Sequence, residues 1–179
     1  MPTNLFGRPG WLLGGNYPHD IFGAKFIEVD LHGAPASLEG VRLVVWRATL
    51  SADCMLLQAD INRAYLQAVL KGRPTFIDLP RRFWPKEWFL KNGEAKFKHP
   101  VLKLIRAIYG LRRSGFDWME HASKVLQHHG WQPIHDVADS LFVKPIPAGP
   151  SSLCCYAGDL LASSPGKELQ LAMRDLRRQ

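Results

Sequence analysis

Residues 153–161 read LCCYAGDLL, an apolar run that surrounds Tyr156 and Asp159. A second run of the same kind, CMLLQADI at residues 54–61, is also mostly apolar and carries one acid, Asp60, near its end. Short apolar runs bounded by polar or turn residues are typical of buried strands. We therefore expect two buried strands, each with a carboxylate that emerges at its tip.

Carboxylates at the tips of buried strands can have either a chemical or a structural role. A charged group in such a place is costly unless it is paired or binds a metal. If the strands of Asp60 and Asp159 meet, the two acids could hold divalent cations, as phosphoryl transfer requires. Strand-end acids also commonly form turns or cap helices, and two aspartates alone do not separate these roles.

The rest of the chain predicts helices alternating with pairs of strands. The predicted elements are a helix over 37–52 with Ser37 as N-cap, one or two helical turns over 63–70, strands over 75–79 and 140–144, a helix over 116–129 that ends at Gly130, and a last helix that begins at Ser164 and Pro165. In the helix over 116–129, we expect Trp118 to lie beside the apolar face. This order favours an α+β fold, in which helices pack on a mostly antiparallel sheet.

The composition is that of an ordinary globular chain. Of its 179 residues, 46% are hydrophobic and 22% charged, and no apolar run approaches the roughly 18 residues of a membrane span. The N-terminus lacks the charged start and apolar run of a signal peptide. Its three cysteines, two of them the adjacent Cys154 and Cys155, suggest reduced thiols. We expect a protein that is not secreted and has no membrane partner.

Positive charge is concentrated in one part of the chain. Residues 71–113 hold 12 Lys and Arg against 3 Asp and Glu, a net of +9, while the whole chain has a net charge of +7. Such a stretch predicts a polyanionic partner such as nucleic acid, although a solvated basic loop has the same composition. The candidate contacts are Arg81, Arg82, Lys96 and Lys98. Among them, Trp84 and Trp88 could stack on bases, but we favour a small core under the loop.

Several blocks of the chain resemble Ty1/copia-type retrotransposon reverse transcriptases. LQADINRAYLQAVL, residues 57–70, resembles the first catalytic block of that family, in which an aromatic residue lies five positions after the aspartate. The further blocks, in the order of the family, are PTFIDLP at 74–80, KLIRAIYGLRRSGFDW at 103–118, HGW at 129–131, DSLFV at 139–143 and CYAGDLLASS at 155–164. The resemblance covers roughly residues 34–179.

The resemblance implies a fold, an activity and partners. The fold would be a polymerase palm with partial fingers and no thumb over 34–179, preceded by a poorly matched segment over 1–33. The activity would be RNA-directed DNA polymerisation, with an RNA or DNA template-primer and deoxynucleoside triphosphates as partners. Two Mg²⁺ or Mn²⁺ ions would be the cofactors. A cytoplasmic retrotransposon particle or the nucleus would be the location.

The resemblance also implies roles for individual residues. Asp60 and Asp159 would be catalytic and would bind the metals with the main-chain carbonyl of Ile61. The substrate-binding residues would be Tyr65 under the incoming sugar, Tyr156 beside the primer end, and Arg112 and Arg113 near template and nucleotide. For Tyr65, packing against the sheet is the alternative role.

The chain departs from the family pattern where the chemistry is concentrated. The turn reads Tyr156-Ala157-Gly158-Asp159, so Gly158 replaces the first aspartate of the family's pair. Arg113 stands where the family usually has Gln, and residues 1–33 do not match its basic fingers segment. We therefore expect a weak or inactive copy of the enzyme. The alternative is a non-catalytic nucleic-acid-binding remnant that uses the basic stretch 71–113.

Overall fold

The computed structural model describes residues 36–134 and 138–165 of the chain. The described elements are α1 (Leu38–Thr49), β1 (Cys54–Asp60), α2 (Ala64–Gln67), β2 (Phe76–Asp78), β3 (Val101–Lys103), α3 (Arg112–His128), β4 (Gln132–Ile134), β5 (Ala138–Lys144), β6 (Ser151–Tyr156) and β7 (Asp159–Pro165). None of these helices is long and apolar enough to cross a membrane.

The strands form two antiparallel sheets. The larger sheet has five strands in the order β1-β7-β6-β5-β4, and β2 pairs with β3 in a separate ribbon. Every pairing between these strands is antiparallel. The chain is therefore a mixed fold of helices and antiparallel sheets, in agreement with the predicted α+β class.

Helices cover both faces of the five-stranded sheet. On one face, α3 and the sheet share a cluster of buried residues: Ala59, Leu126, Trp131, Phe142, Leu153, Cys155, Leu160 and Ala162. On the other face, Val44 of α1 packs against Leu141 and Cys154. Because side chains alternate along a strand, β5, β6 and β7 each supply residues to both clusters. This two-sided burial explains why β6 and β7 read as continuous apolar runs. The prediction of a buried strand at 54–61 is wrong in this respect, because β1 is an edge strand and only its Ala59 is buried.

Two of the predicted helix caps, Ser37 and Gly130, are present. The Ser37 hydroxyl accepts a hydrogen bond from the Gly40 amide at 3.1 Å and begins α1. At the end of α3, Gly130 has a φ of 83°, and the amides of Gly130 and Trp131 donate to the carbonyls of Gln127 and Leu126. These two bonds make a Schellman motif, which requires the left-handed backbone that glycine adopts without strain.

The predicted start of α3 is wrong, and its predicted buried side is right at Ala122 and Leu126 but not at Trp118. The helix begins at Arg112 rather than Phe116, and Trp118 lies on its buried face instead of flanking it. That face runs at four-residue spacing through Ser114, Trp118, Ala122 and Leu126. The Ser114 hydroxyl accepts the Ile108 amide at 3.1 Å, so a polar residue occupies the first turn of the buried face.

The predicted helix start at Ser164 and Pro165 is also wrong, because both residues lie in β7. The hydroxyls of Ser164 and Ser151 are 2.6 Å apart across the β6–β7 pair, and those of Ser163 and Ser152 are 2.8 Å apart. The Ser164 hydroxyl, the predicted helix cap, is thus used in a buried cross-strand pair with Ser151. The remainder of the predicted last helix lies outside the described residues.

The loop between β2 and β3 is held together by aromatic rings. Trp84 and Trp88 pack edge to face with ring centroids 5.8 Å apart, and Trp88 packs in the same way on Phe97 at 5.9 Å. The Trp84 indole also donates to the Leu79 carbonyl at 2.7 Å. The two half-buried tryptophans thus pack on each other, and Trp88 packs on Phe97, within the loop, in agreement with the predicted small core.

Candidate active site

Asp60 and Asp159 face each other at the ends of neighbouring strands. They are the terminal register pair of β1 and β7, and both side chains are exposed. Residues directly opposite in an antiparallel pair leave the same face of the sheet with β-carbons about 5 Å apart. The two carboxylates predicted to emerge at strand tips are therefore brought to the same edge of the sheet, on the same face.

Gly158 lies against Asp60 and the residue after it. A β-carbon built on Gly158 would lie 3.3 Å from Asp60 Oδ1, 3.3 Å from the Ile61 carbonyl oxygen and 3.4 Å from the Ala64 β-carbon. The Ile61 amide donates to the Gly158 carbonyl at 2.7 Å and ties the two segments together. The position where the family has its additional aspartate is thus adjacent to two of the oxygens expected to bind metal.

The turn between β6 and β7 contains a strained residue. Ala157 has a φ of 49°, in the left-handed region that costs a non-glycine residue about 1 kcal/mol or more. Its carbonyl accepts the Trp118 indole N–H at 2.6 Å and also the Cys155 thiol, with sulfur and oxygen 3.6 Å apart. Burial raises the pKa of Cys155 to about 12, so this thiol keeps its proton at neutral pH.

Three tyrosines lie near this turn. The rings of Tyr65 and Tyr109 are in contact, with centroids 4.4 Å apart. Burial raises the pKa of the Tyr65 hydroxyl, and the nearby hydroxyls of Tyr109 and Tyr156 raise it further. Tyr65 also packs on the cluster of small residues between α2 and α3. Tyr65 therefore has the packing role expected as its alternative, and its role under an incoming sugar stays a prediction.

A cavity of about 220 Å³ opens beside Asp159. Tyr156, Asp159 and Gln58 line its sheet side, and Val41 lines it from α1. Tyr156 is 54% exposed, so its ring is accessible to a ligand at this end of the sheet. The predicted role of Tyr156 beside a primer end stays a prediction, and its position next to Asp159 is compatible with it.

The two arginines that the resemblance assigns to the substrate have different surroundings. Arg112 is exposed at the start of α3. The Arg113 Nε lies 3.1 Å from both carboxylate oxygens of Asp117, whose side chain is fully buried and also accepts the Lys71 amide. Arg113 thus has a structural partner, and substrate binding by either arginine stays a prediction.

The basic stretch is exposed almost throughout. Of its 12 Lys and Arg, all but the half-buried Arg113 are exposed. Among the four candidates for nucleic-acid contact, Lys96 donates to the Glu87 carbonyl at 2.7 Å, and the Arg81 guanidinium packs over the ring of Phe89. The Arg82 guanidinium lies 4.8 Å from the ring centre of Phe83. These contacts hold part of the positive charge in fixed positions on the loop.

The oxygen atoms at the acid pair suit a hard divalent cation. Carboxylates and main-chain carbonyls are the ligands that Mg²⁺ and Mn²⁺ prefer, and Asp60, Asp159 and Ile61 supply them. Over residues 36–134 and 138–165, no three His, Cys, Asp or Glu side chains gather in a way that could hold a metal ion. The acid pair therefore offers two carboxylates and one main-chain carbonyl, and it lacks a third carboxylate.

Comparison of the chain with protein-family models, with curated proteins and with solved structures finds no match. The sites must therefore be interpreted from their own geometry. Sequence reasoning identified Asp60, Asp159 and Gly158, but it missed the contact of Trp118 with the turn and the left-handed backbone of Ala157. Neither feature has a signal in the sequence, since a tryptophan within an amphipathic helix and an alanine within a turn are both ordinary.

Proposed function

We propose that this chain is the palm portion of a Ty1/copia-type RNA-directed DNA polymerase, and that Gly158 leaves it weakly active or inactive. The pairing of Asp60 with Asp159 is the observation that carries the proposal. These acids lie about 100 residues apart in the sequence, and the antiparallel sheet makes them direct neighbours. A structural role as turn formers or caps would not require that they meet.

Backbone strain supports a functional role for the same place. Among the described non-glycine residues, only Arg63 and Ala157 have positive φ values, 56° and 49°. Arg63 follows Asp60 by three residues, and Ala157 precedes Asp159 by two. Strained backbone conformations cluster at active sites, where the surrounding structure enforces them. Both strained residues flank the acid pair, one on each of its two segments.

Each residue of the site would have a separate role in nucleotidyl transfer. Asp60, Asp159 and the Ile61 carbonyl would hold Mg²⁺ or Mn²⁺, which when bound neutralises phosphate charge and activates a hydroxyl nucleophile. Tyr65 would lie under the sugar of a deoxynucleoside triphosphate, and Tyr156 would position the primer end. The exposed cations of 71–113 would contact the phosphates of an RNA or DNA template-primer. An element of this kind acts in a cytoplasmic particle or the nucleus.

Gly158 limits what this arrangement can do. The pair of ions that stabilises both attacking and leaving oxygens needs more negative ligands than two carboxylates supply. A side chain at residue 158 would start 3.3 Å from Asp60 Oδ1 and from the Ile61 carbonyl oxygen. An aspartate there would add the missing carboxylate directly beside these ligands.

Titration with Mn²⁺, followed by the paramagnetic broadening of assigned amide signals, tests the proposed site. We expect broadening centred on residues 60, 61 and 159, its loss in Asp60→Asn, and about tenfold tighter binding in Gly158→Asp. Asp78→Asn is the matched control, because Asp78 is an exposed acid that ends β2 in the other sheet. Broadening that is unchanged in Asp60→Asn, or absent from the β1 and β7 ends, would contradict the proposal.

A second candidate function is non-catalytic binding of nucleic acid. Nearly every cation in 71–113 is exposed, and six of the twelve lie on the β2–β3 loop, whose aromatic rings pack on one another; both observations favour it. A preformed basic surface binds phosphates without the ordering cost of a flexible loop. This function does not need the acid pair. Nucleic-acid binding that is unaffected by Asp60→Asn, together with no metal binding, would favour it over the enzyme.

A further inference from the structure

One side chain of α3 reaches across the core to the turn that carries Gly158. Trp118 is only 2% exposed, and its ring lies in a cluster of small residues from α2, α3 and the segment before α3, which contains Ala64, Ala68, Ala107 and Ala122. From there its indole N–H donates to the Ala157 carbonyl at 2.6 Å. The ring is thus fixed by the helices while its polar atom contacts the sheet.

Besides its pairing within the β6–β7 hairpin, the turn has two other hydrogen bonds to the described residues around it. Ala157 has a left-handed backbone, and Gly158 follows it without a side chain to fix its position. The Ile61 amide donates to the Gly158 carbonyl at 2.7 Å, which links the turn to β1. The Cys155 thiol is a second, weaker donor to the Ala157 carbonyl at 3.6 Å. Among these contacts, the indole bond is the one that joins the turn to the helical layer.

We propose that Trp118 is a positioning residue for the acid pair, holding the strained turn so that Gly158 and Asp159 stay in register with Asp60. The turn would otherwise relax toward an unstrained backbone and carry the start of β7 with it. Its effect on the turn stands without the proposed function. Only the consequence for metal binding rests on the proposed function.

The chain contains a matched control for the indole bond. Trp131 is 1% exposed and belongs to the cluster under α3, and its indole nitrogen has no hydrogen-bond partner within the described residues. Replacing either tryptophan with phenylalanine removes similar buried volume. Only Trp118→Phe removes a hydrogen bond and leaves a buried carbonyl without its best donor.

Amide hydrogen exchange of the apo protein is the primary test. We expect Trp118→Phe to speed exchange of the Ile61 amide at least tenfold relative to the unmodified chain, because that amide bonds to the turn itself. Trp131→Phe should leave Ile61 unchanged, although both variants lose some thermal stability. Equal exchange at Ile61 in the two variants would overturn the proposal, because Trp118 would then act only as a core residue.

Two further measurements distinguish a failure of the Trp118 proposal from a failure of the proposed function. In the unmodified chain, the indole proton of Trp118 should resonate downfield of that of Trp131, and equal shifts would overturn the proposal even if a variant fails to fold. With Mn²⁺, Trp118→Phe should weaken binding at the acid pair several-fold, and Trp131→Phe should not. If the unmodified chain binds no Mn²⁺ there, the proposed function fails while the exchange result still decides the role of Trp118.

Discussion

Gly158 lies so close to Asp60 that a β-carbon on the glycine would be 3.3 Å from the carboxylate oxygen Oδ1. The same atom would lie 3.3 Å from the Ile61 carbonyl and 3.4 Å from the Ala64 side chain. Contacts this short can be relieved only if a neighbour moves by a few tenths of an ångström. A side chain at residue 158 would therefore change the packing around Asp60, and glycine leaves that space open.

We expect Gly158→Ala to lower the free energy of unfolding by about 1 kcal/mol, because the new methyl group meets main-chain and buried atoms. Gly115→Ala is the control. No atom lies within 4 Å of its added β-carbon, and a helical glycine-to-alanine change should stabilise by about 0.5–1 kcal/mol. Urea unfolding of the two variants measures both effects. If Gly158→Ala instead stabilises the protein, a methyl group fits at residue 158 and the short contacts described above are wrong.

Arg113 has a structural role that its substrate-binding prediction did not include. Because the buried Asp117 carboxylate is held by the Arg113 Nε at 3.1 Å, we expect Arg113→Ala to destabilise by about 3 kcal/mol. Arg82→Ala, at an exposed arginine of the loop, should change stability by less than about 0.5 kcal/mol. Chemical unfolding checks both values. An Arg113→Ala variant of normal stability that loses nucleotide binding would support the substrate role instead.

The lowered pKa of Glu120 predicts that this residue stabilises the fold in a pH-dependent way. Hydrogen bonds from Lys124 and Lys71 lower the pKa of Glu120 to about 2. A carboxyl whose folded pKa is depressed stabilises above its unfolded pKa, and this contribution is lost as the pH falls toward about 2. Glu120→Gln should therefore lower stability at pH 7 by about 0.5–1 kcal/mol, as for other exposed ion pairs, and by almost nothing near pH 2.

The control for this pH effect is Glu87→Gln. Glu87 is exposed and forms no ion pair within the described part of the chain. Glu87→Gln and the unmodified chain should therefore have nearly the same free energy of unfolding at each pH from about 2 to about 7. A Glu120→Gln difference that persists unchanged at low pH would mean that the two lysines do not stabilise the charged carboxylate.

Salt dependence of nucleic-acid binding tests the basic stretch. We expect affinity for a primer-template duplex to fall steeply with salt, and the double reversal Arg82→Glu with Lys98→Glu to reduce the slope of log K against log salt by about 2. The matched comparison is the single reversal Arg82→Glu against Arg42→Glu, an exposed arginine outside 71–113 whose reversal changes the net charge equally. Equal slopes for these two single variants would indicate a solvated loop without a nucleic-acid role.

Local signals predicted much of the fold and part of the site. The run 54–61 became β1, and the caps at Ser37 and Gly130 followed from residue type. The run 153–161, expected as one strand, instead contains the end of β6, the turn at Ala157 and Gly158, and the start of β7. Local chemistry was misleading at Ser164, because serine suits both a helix cap and a cross-strand hydroxyl pair. Only the tertiary pairing with β6 decides between them.

The remaining errors have the same physical origin. The buried face of α3 could not be chosen from its sequence, since Phe116 and Trp118 are both large and apolar and lie on different sides. The burial of Asp117, which determines the position of Arg113, depends on the Lys71 amide from a distant segment. Contacts between residues far apart in the chain leave no local pattern, so they had to come from the structure.

Single-nucleotide incorporation on a primer-template, with Mg²⁺ and with Mn²⁺, tests the account most directly. Three proteins suffice: the unmodified chain, Gly158→Asp, and Gly158→Asp combined with Asp60→Asn. We predict at most a trace of extension by the unmodified chain and a small increase in Gly158→Asp that Asp60→Asn removes. Robust extension by the unmodified chain would contradict the impairment, and an increase that survives Asp60→Asn would contradict the assignment of the acid pair as the catalytic site.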